Sequence, residues 1–358
     1  ENGIIKEINP SETKVQNAID CKGLYVSPGF VDVHIHGAGG HDTMDGTFEA
    51  INEISKTICK YGTTSFTPTT MTMSADDILK SMMSIKKAKI EGTDGAIVLG
   101  AHLEGPFISP SAIGAQNPNY LISPSYENFE SMTGDAIDAV VSITMAPEVE
   151  GAKELASILS SKGIRCSMGH TKATYEQAID GIKHGFCHST HLFNAMTGFT
   201  HREPGVVGAT FDSDITTETI SDGIHISYPS LRVAYKQKGT DKTLLVTDAM
   251  CACGMPDGTY ALGGQPVIVK NGAARLENGA LAGSILTLNR AIKNLYDNTD
   301  YPLYEIVKMA SYNGAKYCRV DDKKGQIKEN FDADLTVFDE NIDVKMTIIG
   351  GKVVYNNL

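Results

Sequence analysis

The sequence of 358 residues lacks three features, and each absence excludes a class of protein. No apolar run approaches the roughly 18 residues of a membrane-spanning helix, and no secretory signal opens the chain. The seven cysteines are odd in number and form no Cys-x-x-Cys pair, which predicts reduced thiols in a cytoplasmic protein instead of a disulfide framework. Because residue 1 is Glu and not Met, we expect the native chain to begin further upstream.

Positive charge is also scarce. Lys and Arg number 31 against 43 Asp and Glu, so the net charge is −12. Such a surface repels nucleic acid and anionic membranes, and neither is an expected partner. An anionic substrate would need a local group of basic side chains. The hydrophobic content of 41% and the charged content of 21% are those of an ordinary globular protein.

Two histidines one residue apart form the most informative short motif. His34 and His36 lie in a run, 31–37, that otherwise has the apolar character of a buried strand and ends at a glycine-rich turn. On a strand, residues i and i+2 point to the same face, so the two imidazoles stand side by side. A metal site at the strand end is one interpretation. Two hydrogen-bonded core histidines are the other, and only partners elsewhere in the chain can decide between them.

The middle of the chain alternates between strand and helix patterns. The predicted strands are 29–35, 63–68, 96–103, 139–145, 163–169, 186–191, 217–221 and 243–248. The predicted helices are 46–60, 75–89, 151–161, 173–184, 229–238, 284–298 and 303–316, with Ser74 and Ser284 as N-caps. Eight strand–helix units in roughly 290 residues favour an α/β fold, a (β/α)8 TIM-like barrel. A doubly wound sheet is the alternative, but no Gly-x-Gly-x-x-Gly motif follows the first strand.

The two ends of the chain share a different pattern, with short apolar runs between polar turns. We expect residues 1–27 and 321–358 to form one small β-sandwich domain together, with the barrel, residues 28–320, inserted between them. Two unrelated edge ribbons are the alternative. A glycine-rich segment at 257–282 predicts a β-hairpin inserted after the last barrel strand.

Functional residues of such a barrel lie at the carboxyl ends of its strands. The predicted strand ends carry His34, His36, Glu104, His170, His191 and Asp248. Each has an ordinary structural explanation when taken alone, such as a helix cap for Asp248. Four imidazoles and two carboxylates together are the ligands that one or two divalent transition metal ions need. Asp248 can also serve as a general base, because a carboxylate beside a metal-activated water can take its proton. We expect His188, three residues before His191, to point to the opposite face and to be structural.

The motifs around these residues resemble those of the N-acetylglucosamine-6-phosphate deacetylase family in the amidohydrolase superfamily. The resemblance extends over the whole chain and rests on the segments 28–37 (PGFVDVHIHG), 102–107 (HLEGPF), 168–171 (MGHT), 191–196 (HLFNAM), 221–225 (SDGIH) and 246–249 (VTDA). It implies a principal metal ion on Glu104, His170 and His191, with Zn favoured over Fe, Mn or Co. His34 and His36 match the members that can bind a second ion. The fourth strand has no lysine, so Glu104 would replace the superfamily's carboxylated lysine as the bridging ligand.

The same resemblance implies a phosphorylated amino-sugar substrate. Its contacts would come from Gln116, Asn194, Ala195, Arg202, His225, Ile285 and Leu286. Arg202 would pair with the 6-phosphate, because a guanidinium group matches phosphate bidentately. An exposed loop salt bridge is the alternative for Arg202. Either Arg202 or His225 would act across the interface of a homodimer, and Ile285 or Leu286 would line the acetyl pocket. Gln116 lies where other members carry His.

The implied reaction is hydrolysis of the N-acetyl group of N-acetylglucosamine 6-phosphate to glucosamine 6-phosphate and acetate, in amino-sugar catabolism and cell-wall recycling. Asp248 would take the proton of the attacking water and return it to the leaving amine. Two other functions remain open. One is an amidohydrolase for a different amide, dihydroorotase-like or peptide-hydrolysing, and the other is a non-catalytic sugar-phosphate sensor. The presence of Asp248 beside the metal ligands argues against the sensor, which has no use for a base.

Overall fold

In the computed structural model, which describes residues 2–9 and 18–358, eight parallel strands form a barrel. In chain order, these barrel strands are Phe30–Ile35, Thr63–Thr70, Ala101–Glu104, Val140–Met145, Arg165–Met168, Phe186–Ser189, Thr216–Ile220 and Thr243–Val246. Each pairs in parallel with the next. All eight predicted strands are present, and a separate two-residue strand, Ile97–Val98, precedes the third.

The first and eighth barrel strands close the cylinder at their carboxyl ends. Ile35 pairs in parallel with Ala249. The amide of His36 donates to the carbonyl of Ala249 over 2.8 Å, and the amide of Asp248 donates to the carbonyl of His34 over 2.9 Å. Closure therefore places the two histidines of the first strand beside Asp248 of the eighth. The predicted (β/α)8 TIM-like barrel is confirmed.

Helices connect the barrel strands and cover the outside of the barrel. They are Phe48–Ile58, Ala75–Glu91, Tyr126–Thr133, Ala152–Ser161, Tyr175–Lys183, Gly205–Asp212, Tyr228–Lys238, Leu288–Asn298, Leu303–Ala310 and Tyr312–Tyr317, with 3-10 turns at Thr43–Asp45, Cys59–Tyr61, Pro118–Tyr120 and Gly134–Ala139. The second of these helices buries Ile78, Met82 and Ile85, whose spacing of four and three residues places them on one face. None of the helices in the described ranges is both long and apolar enough to cross a membrane.

Some helix predictions need correction. Ser74 caps its helix by accepting from the amide of Asp77, as predicted. Ser284 instead pairs with Ala249, and the helix begins four residues later, at Leu288. The predicted helix 303–316 is two helices, because the backbone leaves the helical region at Ser311, where φ is −133° and ψ is −79°. The eight-residue helices that begin at Tyr126 and Gly205 have no predicted counterpart.

Both ends of the chain contribute to one antiparallel sheet, the terminal sheet. Its strands are Tyr25–Pro28, Leu335–Phe338, Val344–Ile349 and Lys352–Asn356. Ile4 adds an isolated bridge to Asp332. The predicted β structure built from both ends is therefore confirmed, whereas residue 1 and residues 10–17 of the predicted segment 1–27 lie outside the described residues. The domain boundaries at 27/28 and 320/321 stay a prediction.

The glycine-rich insertion forms a three-stranded antiparallel sheet, the inserted sheet, instead of the predicted hairpin. Its strands are Gly258–Leu262, Gln265–Lys270 and Ala273–Arg275. Two tight turns join them, and all four turn residues have positive φ: 55° at Gly263, 76° at Gly264, 53° at Asn271 and 81° at Gly272. Glycine and asparagine accept this backbone readily, as two-residue hairpin turns require. The second turn adds the third strand.

Buried hydroxyl and imidazole groups fill much of the barrel interior. Thr67 Oγ1 donates to the carbonyl of Val33 over 2.7 Å. Thr144 Oγ1 lies 2.8 Å from Nε2 of His102 and 2.8 Å from Oγ1 of Thr190. These contacts satisfy buried polar groups that would be costly to leave unpaired. The barrel supplies a polar floor at its carboxyl end.

Candidate active site

A cavity of about 440 Å³ opens at the carboxyl end of the barrel. Most of the predicted site residues line it: His36, Glu104, Gln116, His170, His191, Asn194, Ala195, His225 and Asp248. His34 is fully buried and contacts two of these lining residues, Glu104 and Asp248. The barrel therefore brings together residues that the sequence separates by more than two hundred positions.

Glu104 stands at the centre of the imidazoles. Its Oε1 lies 3.0 Å from Nε2 of His191, 3.3 Å from Nε2 of His170 and 3.4 Å from Nε2 of His34. Its Oε2 lies 3.3 Å from Nε2 of His36. A single carboxylate contacts both groups of predicted ligands, which is the arrangement a bridging ligand needs.

Asp248 completes the group from the eighth barrel strand. Its Oδ1 lies 3.2 Å from Nε2 of His36 and 3.5 Å from Nε2 of His34. Burial alone would raise the pKa of Asp248, but the charges of His34 and His36 outweigh it and hold this pKa below its usual value. Asp248 is therefore an anion at the cavity floor at neutral pH.

The four imidazoles share one orientation. Each Nδ1 atom faces a fixed acceptor: the carbonyls of Thr69, Ala112 and Asn194 for His36, His170 and His191, and the carboxylate of Glu218 for His34. Such acceptors hold a ring proton on Nδ1, so Nε2, which is directed at Glu104, is the nitrogen that a metal ion would bind in place of a proton. This is the orientation in which imidazole binds a metal ion.

The positions of the Nε2 atoms suit binding to a divalent cation better than hydrogen bonding between the rings. Nε2 of His170 and Nε2 of His191 are 3.2 Å apart, and neither carries a proton when both Nδ1 atoms do. Ligands about 2.0–2.2 Å from one ion in a tetrahedral site stand about 3.4 Å apart. Within the described ranges, Nε2 of His34 has no hydrogen-bond partner although it is buried. An ion would satisfy all three atoms.

Two overlapping groups of residues can hold ions, and in each the ligand atoms lie within 4.8 Å of one another. One is Glu104, His170 and His191, and the other is His34, His36 and Glu104. Burial lowers the pKa of His34, but the carboxylates of Asp248, Glu104 and Glu218 outweigh it and raise this pKa to about 9. The imidazoles thus lie in an excess of negative charge, which a divalent ion would neutralise.

Three of the predicted ligands have a left-handed backbone. The φ angle is 47° at His170, 30° at His191 and 49° at Asp248, and each residue follows the end of its strand by two positions. Non-glycine residues avoid this region, at a cost on the order of 1–3 kcal/mol each. The turns direct these side chains back over the barrel, so the strain serves the site.

Gln116 contacts the ligand group directly. Its Nε2 donates to Oε2 of Glu104 over 2.6 Å, and its Oε1 accepts from the amide of Thr72 over 2.7 Å. Both ends of the amide are engaged, so its orientation is fixed. Gln116 therefore supports Glu104 as well as lining the cavity, and its contact with the substrate stays a prediction.

Three residues of the cavity wall match the predicted sugar-phosphate contacts. Asn194 Nδ2 donates to the carbonyl of Leu192 over 3.1 Å, and φ at Ala195 is 47°, so this turn has a defined shape. His225 Nδ1 lies 2.7 Å from Oδ2 of Asp222, and this hydrogen bond orients the ring. Their roles in binding stay predictions.

The other predicted contacts lie elsewhere. Arg202 is exposed on the loop before the helix that begins at Gly205. Leu286 packs in the core behind the barrel, and Ile285 is half-buried against the inserted sheet. Arg275 of the inserted sheet, which was not predicted, does line the cavity, and it is the only Lys or Arg of the described residues to do so. Apolar wall is supplied by Met71, Leu262 and Leu281.

Glu218 and His188 are buried site residues that the sequence did not predict. Glu218 Oε2 lies 2.9 Å from Nδ1 of His34, and its Oε1 lies 3.2 Å from Nε2 of His188. The expectation that His188 faces away from the site is wrong. The strand ends at Ser189 and His191 follows it with a left-handed backbone, so strand alternation does not relate the two residues. The sequence did contain an indication of Glu218, which is the one charged residue in a predicted strand of β-branched residues. A carboxylate that is buried in such a strand needs a partner.

Comparison with known proteins agrees with this geometry. The sequence profile of the amidohydrolase family matches residues 25–354. The N-acetylglucosamine-6-phosphate deacetylase of Lysinibacillus sphaericus is 40% identical over 336 residues, which are 94% of this chain and 87% of that protein. The solved deacetylase of this name from Pasteurella multocida has a TM-score of 0.93 and 33% identity, over 99% of this chain and 93% of that chain. A mutant of the Mycobacterium smegmatis deacetylase, in complex with N-acetyl-D-glucosamine-6-phosphate, has a TM-score of 0.89 and 30% identity, over 93% and 87%. The chain therefore belongs to the amidohydrolase family and, within it, to the N-acetylglucosamine-6-phosphate deacetylases.

Proposed function

We propose that this protein hydrolyses the N-acetyl group of N-acetylglucosamine 6-phosphate, giving glucosamine 6-phosphate and acetate. The observation that carries the proposal is the position of Glu104, whose oxygens lie 3.0–3.4 Å from four imidazoles beside Asp248. The deacetylases of similar sequence, one of them solved with this sugar phosphate, support the choice of substrate.

Divalent metal binding follows from the two overlapping ligand groups. Glu104, His170 and His191 would hold the principal ion, and His34 and His36 would join Glu104 in holding a second. Zn suits this mixture of imidazole and carboxylate, and Fe, Mn and Co accept it as well. When bound, such an ion activates water and withdraws electron density from the amide carbonyl.

Asp248 moves the proton. Its carboxylate accepts a proton from the attacking water while the water oxygen bonds to the carbonyl carbon. Asp248 then donates that proton to the amide nitrogen as the C–N bond breaks, because an amine leaves readily only when protonated. Its lowered pKa supports the first step, since a base must be ionised to accept a proton. Acetate and the free amine are the products.

Substrate orientation follows from the chemistry of the cavity wall. The apolar side chains of Leu281 and Leu262 offer a surface for the acetyl methyl group. Arg275 and His225 offer positive charge or donors for the phosphate, and Asn194 and Ala195 offer a polar turn for sugar or phosphate oxygens. In a protein of net charge −12, a local cation on the cavity matters for capturing a phosphate.

In a homodimer, Arg202 could contact the substrate bound to the partner subunit. Arg202 is exposed in the single chain and lies outside the cavity lining, and Phe199 three residues earlier is 59% exposed. An exposed aromatic side chain near an exposed arginine suits a protein interface. We therefore propose that Arg202 contacts the phosphate in the cavity of the partner subunit. We also place the reaction in the cytoplasm, in amino-sugar catabolism and cell-wall recycling, because the seven cysteines are free thiols, as expected in a reducing compartment.

A substrate panel tests the proposal. Metal-loaded protein is incubated with N-acetylglucosamine 6-phosphate, unphosphorylated N-acetylglucosamine, dihydroorotate and a dipeptide, and acetate or ring opening or free amino acid is measured. We expect acetate from the phosphorylated sugar, with a much higher kcat/KM than from the unphosphorylated one. Turnover of dihydroorotate or the dipeptide alone would favour the other amidohydrolase, and sugar-phosphate binding without acetate would favour the sensor.

A further inference from the structure

Glu218 is the only residue in the described ranges whose carboxylate contacts an imidazole of the ligand groups without being a predicted ligand. It is 1% exposed and lies in the middle of the seventh barrel strand. Its Oε2 lies 2.9 Å from Nδ1 of His34 and accepts from the backbone amide of His191 over 3.3 Å. One oxygen therefore touches a residue from each of the two ligand groups.

The other oxygen of Glu218 is anchored deeper in the barrel. Oε1 lies 3.2 Å from Nε2 of His188, whose Nδ1 in turn lies 2.6 Å from Oγ1 of Thr216. This chain of contacts fixes the carboxylate at both ends. Glu218 is therefore held in one position through both of its oxygens.

His34 is distinguished from the other three imidazoles by this contact. His36, His170 and His191 direct Nδ1 to neutral backbone carbonyls, as described above, whereas His34 directs it to a charged carboxylate. A carboxylate on the far nitrogen of an imidazole fixes the tautomer and makes the near nitrogen a stronger metal ligand. This contact therefore supports the ligand group of His34, His36 and Glu104, for which the sequence indicated only that a second ion can bind.

We infer that Glu218 is a positioning residue for the second metal ion, which it retains by holding His34 with Nε2 directed at Glu104. The protein would accordingly bind two ions under ordinary purification without chelator. This inference rests on the proposed metal-dependent function, but it concerns metal content and can be tested without substrate. It differs from a purely structural role of Glu218, in which loss of the carboxylate would affect stability and leave metal content unchanged.

The test measures metal content by elemental analysis and metal affinity by competition with a chelator. We expect two ions per wild-type chain. In Glu218→Gln, one ion should remain bound with wild-type affinity, and affinity for the other should fall about 10–100-fold, as is usual when such a supporting residue is removed. Glu218→Asp keeps the charge but shortens the side chain. Its affinity for the second ion should lie between that of the wild-type protein and that of Glu218→Gln, and it provides a second measurement if Glu218→Gln folds poorly.

A matched control separates positioning from general destabilisation. Asp334→Asn removes another buried carboxylate, which directly precedes the strand Leu335–Phe338 of the terminal sheet and pairs with Lys324 at 2.5 Å. We expect this variant to lose thermal stability and keep both ions.

A double variant tests whether Glu218 acts through His34. In a His34→Gln background, Glu218→Gln should cause no further loss of metal affinity. A further loss there, two tightly bound ions in Glu218→Gln, or a single ion in the wild-type protein would each overturn the inference. None of these outcomes bears on the proposed function, because acetate release by the wild-type protein tests that separately.

Discussion

Nε2 of Gln116 donates a hydrogen bond to Oε2 of Glu104 over 2.6 Å, and Oε2 is the oxygen that faces His36. A neutral amide is thus held against the carboxylate that both ligand groups share. The same amide accepts from the backbone of Thr72, which fixes its two ends. The orientation of Glu104 depends on a residue that the sequence suggested only as a substrate contact.

Replacing Gln116 tests this dependence. Gln116→Leu keeps the approximate size of the side chain and removes both hydrogen bonds. We expect metal affinity to fall about 10–100-fold, because the bridging carboxylate loses its support. The free energy of unfolding should fall by about 1–3 kcal/mol, because the buried amide of Thr72 loses its acceptor. Chelator competition and chemical denaturation measure the two effects, and unchanged metal affinity would show that Gln116 does not support Glu104.

Asp248→Asn removes the proposed general base and leaves a side chain of the same shape. We expect turnover to fall about 10²–10⁴-fold, the usual contribution of general acid–base catalysis, with metal still bound on Glu104, His170 and His191. Acetate release and elemental analysis on the same sample measure both quantities. Asp138→Asn, which changes an exposed carboxylate on the barrel exterior, should behave as wild type. Near-wild-type turnover in Asp248→Asn would refute the assigned role.

The double variant His34→Gln with His36→Asn tests the ranking of the two ligand groups. We expect metal stoichiometry to fall to one ion and some activity to remain, because Glu104, His170 and His191 are intact. On one preparation, elemental analysis measures the metal stoichiometry, circular dichroism measures folding and acetate release measures activity. A folded protein with no activity would mean that the pair is essential and that the principal site lies on the first barrel strand.

Arg275 and Arg202 are both candidates for binding the phosphate, and we expect different effects when each is replaced. Arg275 lines the cavity of its own chain, so Arg275→Ala should raise KM for the phosphorylated sugar at any protein concentration. A charge-assisted hydrogen bond of about 1.5–3 kcal/mol corresponds to an increase of about 10–150-fold. Turnover of the unphosphorylated sugar should not change.

Arg202 is exposed, so its contribution requires a second subunit. Arg202→Ala should raise KM for the phosphorylated sugar, and the wild-type protein should show a similar rise when it is diluted below the dissociation constant of the dimer. Sedimentation and initial rates over the same concentration range measure this relation. A KM that is independent of concentration through dissociation would exclude a contribution from the partner subunit.

The sequence predicted the barrel and the position of the candidate ligands at its strand ends, because both follow from local rules. His34 and His36 share a face by the alternation of a strand, and parallel strands bring their carboxyl ends to one edge. Glu104 follows from the same rule, since it is the last residue of its strand.

Other parts of the site depend on departures from these rules. His191 reaches Glu104 through a backbone with φ of 30°. His188, which contacts Glu218, lies on a strand whose register shifts between Phe186 and His188. Arg275 lines the cavity from the inserted sheet. Leu286 packs in the core with residues of the first and last barrel strands, such as Val31 and Val246. Residue spacing predicts neither the departures from ideal strand geometry nor the path of the inserted sheet, because both depend on tertiary packing.

The most direct test of the central claim is acetate release from N-acetylglucosamine 6-phosphate before and after metal removal. The protein is treated with a chelator, dialysed and then reconstituted with Zn or another divalent ion, and circular dichroism confirms that it remains folded throughout. We expect the metal-free protein to release essentially no acetate, reconstitution to restore the rate, and reconstituted Asp248→Asn to stay slow. A folded, metal-free protein that releases acetate at the original rate would contradict the account.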